Sequence, residues 1–210
     1  MTRRKMPEGV AYRIETERLL LRCWVPTDVV AMRASLDRSD SHLRPFIPFM
    51  KNEPRSSAET VELLRTLRAS FDRDEHYRYA VFDLKEKALL GEVMLLDRHG
   101  DGECELGYWL DVDHTGHGYA TEASAAVTRI AFELGKVDRV ELQCVPANTA
   151  SGALATRLGF TLEATLRDRS SSPGGVQDLQ IWTLFASDYD GTLASKLELR
   201  AFDCCGERVI

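Results

Sequence analysis

Two glycines one residue apart, Gly116 and Gly118, restrict most strongly what this 210-residue chain can become. Before them, Glu103 to Val112 reads as an apolar strand. After them, Ala120, Ala123, Val127, Ile130 and Leu134 recur on one helical face, and Gly135 supplies the stop. The first turn of such a helix carries free backbone N–H groups and the positive end of the helix dipole. Glycines let a bulky anion approach that backbone closely, so the unit suits a diphosphate cradle that needs no lysine. A plain turn is the simpler reading of two glycines. A dinucleotide-binding βαβ unit fits poorly, because Thr121 stands where its fingerprint wants Gly or Ala, and Glu141 lies mid-strand rather than closing the next strand.

The flanking segments predict a mixed α/β chain without repeats or linkers. Arg18 to Val25 is a buried strand, with Thr27 as N-cap of a helix to about Asp37. The segment Leu43 to Met50 contains Pro45 and Pro48 and cannot be a regular helix. Ser56 and Glu59 have capping-box spacing ahead of Val61, Leu64, Leu67 and Phe71. Strands are predicted over 77–84, 89–96 and 103–112, with a hairpin turn at His99-Gly100-Asp101-Gly102. Val140, Leu142 and Cys144 alternate as a further strand, and a short helix covers 149–158. Two strands near 160–169 and 177–185 flank the turn 171–175, and a small strand around 197–201 ends the chain.

Composition narrows the function classes. A net charge of −6 and scattered basic residues argue against nucleic acid, the tight run Arg3-Arg4-Lys5 lying at the terminus. No stretch approaches the ~20 apolar residues of a membrane span. Five cysteines without a CxxC pair, and no secretory signal, fit a reducing cytoplasm, with Cys204-Cys205 partly buried. The spacing of His114 and His117 raises a metal site, but the glycine between them disturbs the one-face geometry, so no metal is expected. Asp188-Tyr189-Asp190-Gly191-Thr192 copies a phosphatase motif, yet only 18 residues follow it; it reads as a turn between the last two strands.

Glu105-Leu106-Gly107-Tyr108-Trp109-Leu110, followed by Gly116-His117-Gly118-Tyr119-Ala120-Thr121-Glu122-Ala123, resembles the acetyl-CoA motif of GNAT N-acetyltransferases of the Rim type, named for acetylation of ribosomal-protein N-termini. Glu15 to Leu19, Asn148 with Ser151 and Leu158-Gly159-Phe160, and Gly175 with Asp178 resemble further signatures of that branch. The resemblance implies a three-layer α/β fold, a central, splayed, mostly antiparallel sheet flanked by helices. It also implies one domain over 1–210, with a core of about 12–187 and a C-terminal extension over 188–210. Acetyl-CoA would enter between two parallel strands, its pyrophosphate held by the backbone around Gly116, His117, Gly118, Tyr119, Ala120 and Thr121. Leu110 and Val112 would offer main-chain groups to the pantetheine arm and acetyl carbonyl. Asn148, also a helix N-cap, would contact the cofactor, and Ser151 would donate to the departing thiolate.

Acetyl transfer needs a neutral amine and therefore a base. Glu105 is the candidate, a salt-bridged strand residue being its plainer reading. Phe46 and Phe49 would line the acceptor pocket in a mobile region, or simply pack a helix connection. Two departures from the family stand out. Asp113 occupies a position often basic, with His114 and His117 as partial compensation. Arg167-Asp168-Arg169-Ser170 stands where some members carry a glutamate base, leaving Asp168 as a second candidate. The acceptor is a primary amine, of a protein N-terminus or a small molecule. The resemblance leaves a homodimer open. A catalytically weak acyl-CoA-binding sensor of the same fold is the alternative.

Overall fold

The structure is a computed structural model that describes residues 10–97, 102–172 and 175–210. The Arg3-Arg4-Lys5 run, most of the turn at 99–102 and Pro173-Gly174 lie outside the described residues. Nine strands form one sheet: β1 Arg13–Glu15, β2 Leu19–Cys23, β3 His76–Asp83, β4 Leu89–Leu96, β5 Glu103–Leu110, β6 Arg139–Cys144, β7 Thr161–Ser172, β8 Gly175–Phe185 and β9 Arg200–Phe202. Their spatial order is β7-β8-β6-β5-β4-β3-β2-β1-β9, and every described pairing is antiparallel except β5 with β6. The helices are α1 Val29–Leu43, α2 Ser57–Asp72, α3 Tyr119–Glu133, α4 Thr149–Leu158 and α5 Leu193–Lys196.

Two hydrophobic clusters, one on each face of the sheet, make the three layers. Strand alternation sends Leu20, Ala80, Phe82, Leu89 and Trp109 into one cluster with Met32, Leu36, Leu64 and Leu67 of α1 and α2. Leu19, Leu21, Val81, Leu106, Val140 and Leu142 join the other, with Val127 and Ile130 of α3 and Leu154 and Leu158 of α4. Each buried Val, Leu, Ile, Met or Phe among them contributes about 1.5–3 kcal/mol by leaving water.

Several boundaries differ from the sequence reading. The helix after β2 begins through a 3-10 turn, Pro26–Asp28, and its N-cap is Asp28 without a side-chain cap, so Thr27 does not cap it. It also runs to Leu43 rather than Asp37, because Ser39 and Leu43 keep facing the core. Pro45, which has no N–H, then prevents continuation. The capping box at Ser56 and Glu59 forms as expected. The phosphatase-like run is structural: the Tyr189 hydroxyl donates to Glu133 Oε1 at 2.9 Å, and Thr192 caps α5. β9 pairs with β1 and buries Ala201, so the C-terminal segment completes a sheet edge. Cys204 and Cys205 are exposed rather than partly buried, on a turn whose amides bond Asp203.

Candidate functional site

The parallel pairing of β5 and β6 covers only Glu103 to Leu106 against Arg139 to Leu142. Beyond it β5 stays with β4 as far as Leu110, while β6 stays with β8 as far as Cys144. The sheet therefore forks. Main-chain groups of successive strand residues face opposite edges. Since Asp111 N–H donates to Leu90 on β4, those of Leu110 and Tyr108 face the open side of the fork. A cleft of about 2020 Å³ passes through the fork and reaches both faces of the sheet.

At one end of the cleft stands the N-terminus of α3. Its N-cap is Gly118, with φ 79°, and Gly116 has φ 78°, both in the left-handed region that favours glycine. A glycine cap has no side chain to offer, and the first helical bond runs from Glu122 N–H to Gly118 C=O. The N–H groups of Tyr119, Ala120 and Thr121 therefore lack an intrahelical acceptor. A Cβ placed on Gly116 would meet nothing within 4 Å, so the approach is open. These features fit a diphosphate.

The sequence-predicted cofactor residues separate into two sets. Leu110, Gly116, Gly118, Ala120, Thr121, Asn148 and Ser151 line the cleft. His117 and Tyr119 have their rings stacked on each other at 5.7 Å and are not among the residues that line it. Val112 does not line the cleft either. Its N–H donates to Ser39 Oγ at 2.9 Å and its carbonyl accepts from Thr115 Oγ1 at 3.0 Å, so the main-chain role expected of it is spent on holding the loop. Asp113 pairs with Arg38 at 3.0 Å, which offsets the carboxylate near the cradle. His114 approaches Asp111 at 3.6 Å, so the two imidazoles serve different neighbours. Among the described residues no metal-binding group of three or more His, Cys, Asp or Glu stands together, and no helix is long and apolar enough to cross a membrane.

At the crotch of the fork, Asn148 Oδ1 accepts from Ser151 N–H at 3.2 Å and caps α4. Buried Ser151 lines the cleft together with Tyr108 of β5 and Cys144 of β6, whose thiol lies 3.8 Å from Gln180 Oε1. Burial raises the Tyr108 hydroxyl and the Cys144 thiol above their ordinary values, so each keeps its proton at neutral pH. Sequence reading missed Tyr108 and Cys144; their place on the two diverging strands was the available signal.

The other end of the cleft lies against α1 and α2. Glu105 lines it from β5, beside Leu96 of β4 and Glu141 of β6. Phe46 and Phe49 line the opposite wall, Phe49 edge-on to Trp109 at 6.5 Å. Their segment is pinned: Arg44 donates to the carbonyls of Met50 at 2.9 Å and Glu53 at 3.3 Å, and buried Glu53 joins Arg33 and Arg55. Asp168 lies on the exposed β7–β8 hairpin and is not among the residues that line the cleft, although Arg169 and Ser170 beside it are. Beneath Trp109 is a feature that sequence reading did not find. Fully buried Glu92 accepts from Trp24 Nε1 at 2.7 Å, Trp109 Nε1 at 2.8 Å and Arg78 at 2.8 and 2.6 Å. Four separate elements of sequence converge there, and no spacing announces it.

Residues 18–161 match the acetyltransferase (GNAT) domain family. The chain is 26% identical over 182 residues to a putative ribosomal N-acetyltransferase, YdaF of Bacillus subtilis, covering 83% of this chain and 95% of that one. It is 30% identical over 119 residues to a probable N-acetyltransferase, YjcK of the same organism, over 56% of this chain and 66% of the relative's length. Mycobacterium smegmatis RimJ, solved in complex with CoA-disulfide, superposes with a TM-score of 0.78 at 22% identity, covering 90% of this chain and 92% of that one. That likeness extends to the mixed, mostly antiparallel sheet and its flanking helices.

Proposed function

The chain belongs to the GNAT acetyltransferase family, and from that premise we propose that it transfers the acetyl group of acetyl-CoA directly to a primary amine bound at the α1–α2 end of the cleft. The observation that carries the reading is the fork: one cleft joins an uncapped helix N-terminus, free strand amides and a carboxylate. When bound, acetyl-CoA supplies an activated acetyl carbonyl and a thiolate leaving group. The backbone of Gly116 to Thr121 holds the diphosphate. Leu110, joined by Tyr108, offers main-chain groups along the open edge of β5, where an N–H can stabilise charge developing on a carbonyl oxygen. Glu105 takes the proton of the incoming amine, directly or through water. Ser151, with Tyr108 behind it, donates toward the leaving sulfur.

A protein N-terminus is the acceptor favoured by the similarity to a putative ribosomal N-acetyltransferase. Phe46 and Phe49 give it an apolar wall. The test is thiol release from acetyl-CoA against N-terminal peptides and small amines. Release stimulated by peptides with a free α-amine, and abolished by blocking that amine, supports the reading. Tight CoA binding with no amine stimulating release would instead favour a sensor.

A further inference from the structure

The cradle sits in a chain of net charge −6, and its loop carries Asp113 rather than a base. A bound diphosphate still needs some counter-charge, and three arginines approach the region. Arg38 is committed to Asp111 and Asp113. Arg18 spends Nε and Nη2 on Glu122, at 2.7 and 2.5 Å, and Nη1 on the His117 carbonyl at 3.0 Å. Arg18 also lines the cleft, its Nη2 3.5 Å from where a Cβ on Gly118 would stand, but its charge is already neutralised by the acid on the first turn of α3.

Arg157 is different. It stands on the last turn of α4, and together with Ser151 and Leu154, spaced by three, it presents the cleft-lining face of that helix. Its Nη1 donates to Thr121 Oγ1 at 3.0 Å, bridging α4 to the first turn of α3 beside the unpaired amides. No carboxylate among the described residues pairs with it in an ion bridge. A guanidinium has five N–H donors, and the Thr121 bond takes one. Arg157 is thus an exposed cation, pre-oriented by a buried hydroxyl, on the wall of the proposed cofactor channel.

We propose that Arg157, oriented by Thr121, binds a phosphate of the CoA moiety and supplies the positive charge that the glycine loop lacks. This rests on the reading of the cleft as a CoA site. A plainer role would be complementing the C-terminal dipole of α4. The two differ in what they predict: a dipole partner affects stability alone, whereas a phosphate ligand affects CoA affinity and its dependence on salt.

The experiment is calorimetric titration of CoA and of 3′-dephospho-CoA into wild-type protein, Arg157→Gln and Arg157→Lys, at low and high salt, with thermal melts of each. Arg157→Gln is expected to weaken CoA by roughly 10- to 150-fold, the range of a hydrogen bond to a charged group, with a flatter salt dependence than wild type. Arg157→Lys retains part of the affinity. A defect confined to CoA assigns the contact to the 3′-phosphate, and one shared with 3′-dephospho-CoA assigns it to the diphosphate. Unchanged CoA affinity in a folded Arg157→Gln overturns the inference while leaving the CoA site standing. Failure of wild-type protein to bind CoA overturns both.

Discussion

On the α3–α4 side of the fork, the cleft meets main-chain groups at the uncapped first turn of α3 and along the open edge of β5, with Ser151 and Arg157 of α4 beside them. On the α1–α2 side it meets side chains, Glu105, Phe46 and Phe49, the last edge-on to Trp109, which bonds to buried Glu92. The contrast teaches what each half can vary. A backbone cradle depends on φ angles and tolerates changes of neighbouring side chains. A side-chain wall can be respecified one residue at a time, which suits a half that chooses among acceptors.

The contrast can be broken most severely at Glu105. Glu105→Gln is expected to lower kcat by about 100-fold or more, in the range for loss of a general base, with CoA affinity unchanged and an altered pH–rate profile. An unaltered profile in stopped-flow assays would place the base elsewhere. Next comes the buried hub beneath Trp109. Glu92→Leu leaves the Arg78 charge and two indole N–H groups without their acceptor, a loss of about 3–5 kcal/mol for a broken buried pair. Urea denaturation measures it, and a change below about 1 kcal/mol would show that the hub is dispensable.

Gly118→Val probes the other half. Its left-handed φ makes any side chain cost about 1–2 kcal/mol in stability, and the branched group would crowd the cradle. CoA affinity should fall by more than about tenfold, or 1.4 kcal/mol, while any acceptor affinity measured without cofactor is retained. Equal loss of both would erase the distinction between the halves.

The smallest effect concerns the loop joining them. Burial would raise Asp111, but bonds from Arg38 and the Asp113 amide outweigh it, so its pKa is lowered below the ordinary carboxylate value. A depressed folded value means that Asp111 stabilises the fold above the unfolded pKa of about 3.9. That contribution is lost as pH falls through the folded value. The difference in urea midpoint between wild type and Asp111→Asn should be largest at neutral pH and shrink toward pH 3. A difference independent of pH would assign the effect to shape rather than charge.

The glycine turn ahead of α3 was legible in the sequence because backbone geometry leaves a signature: only particular residues favour a positive φ, and Gly116 and Gly118 announce it. Asn148 as a cap was legible for the same local reason. Val112 was misjudged because its amide is claimed by Ser39, 73 residues away, and no local pattern records that bond. The α1–α2 end of the cleft was visible only in part. Glu105, Phe46 and Phe49 were identified, but the Glu92 hub joins residues from β3, β4, β5 and the end of β2, and the pinning of 44–56 depends on Arg44 and Glu53 reaching across the loop. Such contacts exist only once the sheet has assembled.

An amide-resolved NMR titration with CoA reads the central claim most directly, because it asks whether the main chain of the fork is the binding surface. The largest shifts are predicted at Gly116, Gly118, Tyr119, Ala120 and Thr121, with Tyr108 and Leu110 along the open edge of β5, and little change over residues 44–56. Saturating CoA that leaves those amides unmoved, or that shifts the 44–56 segment most, would contradict it.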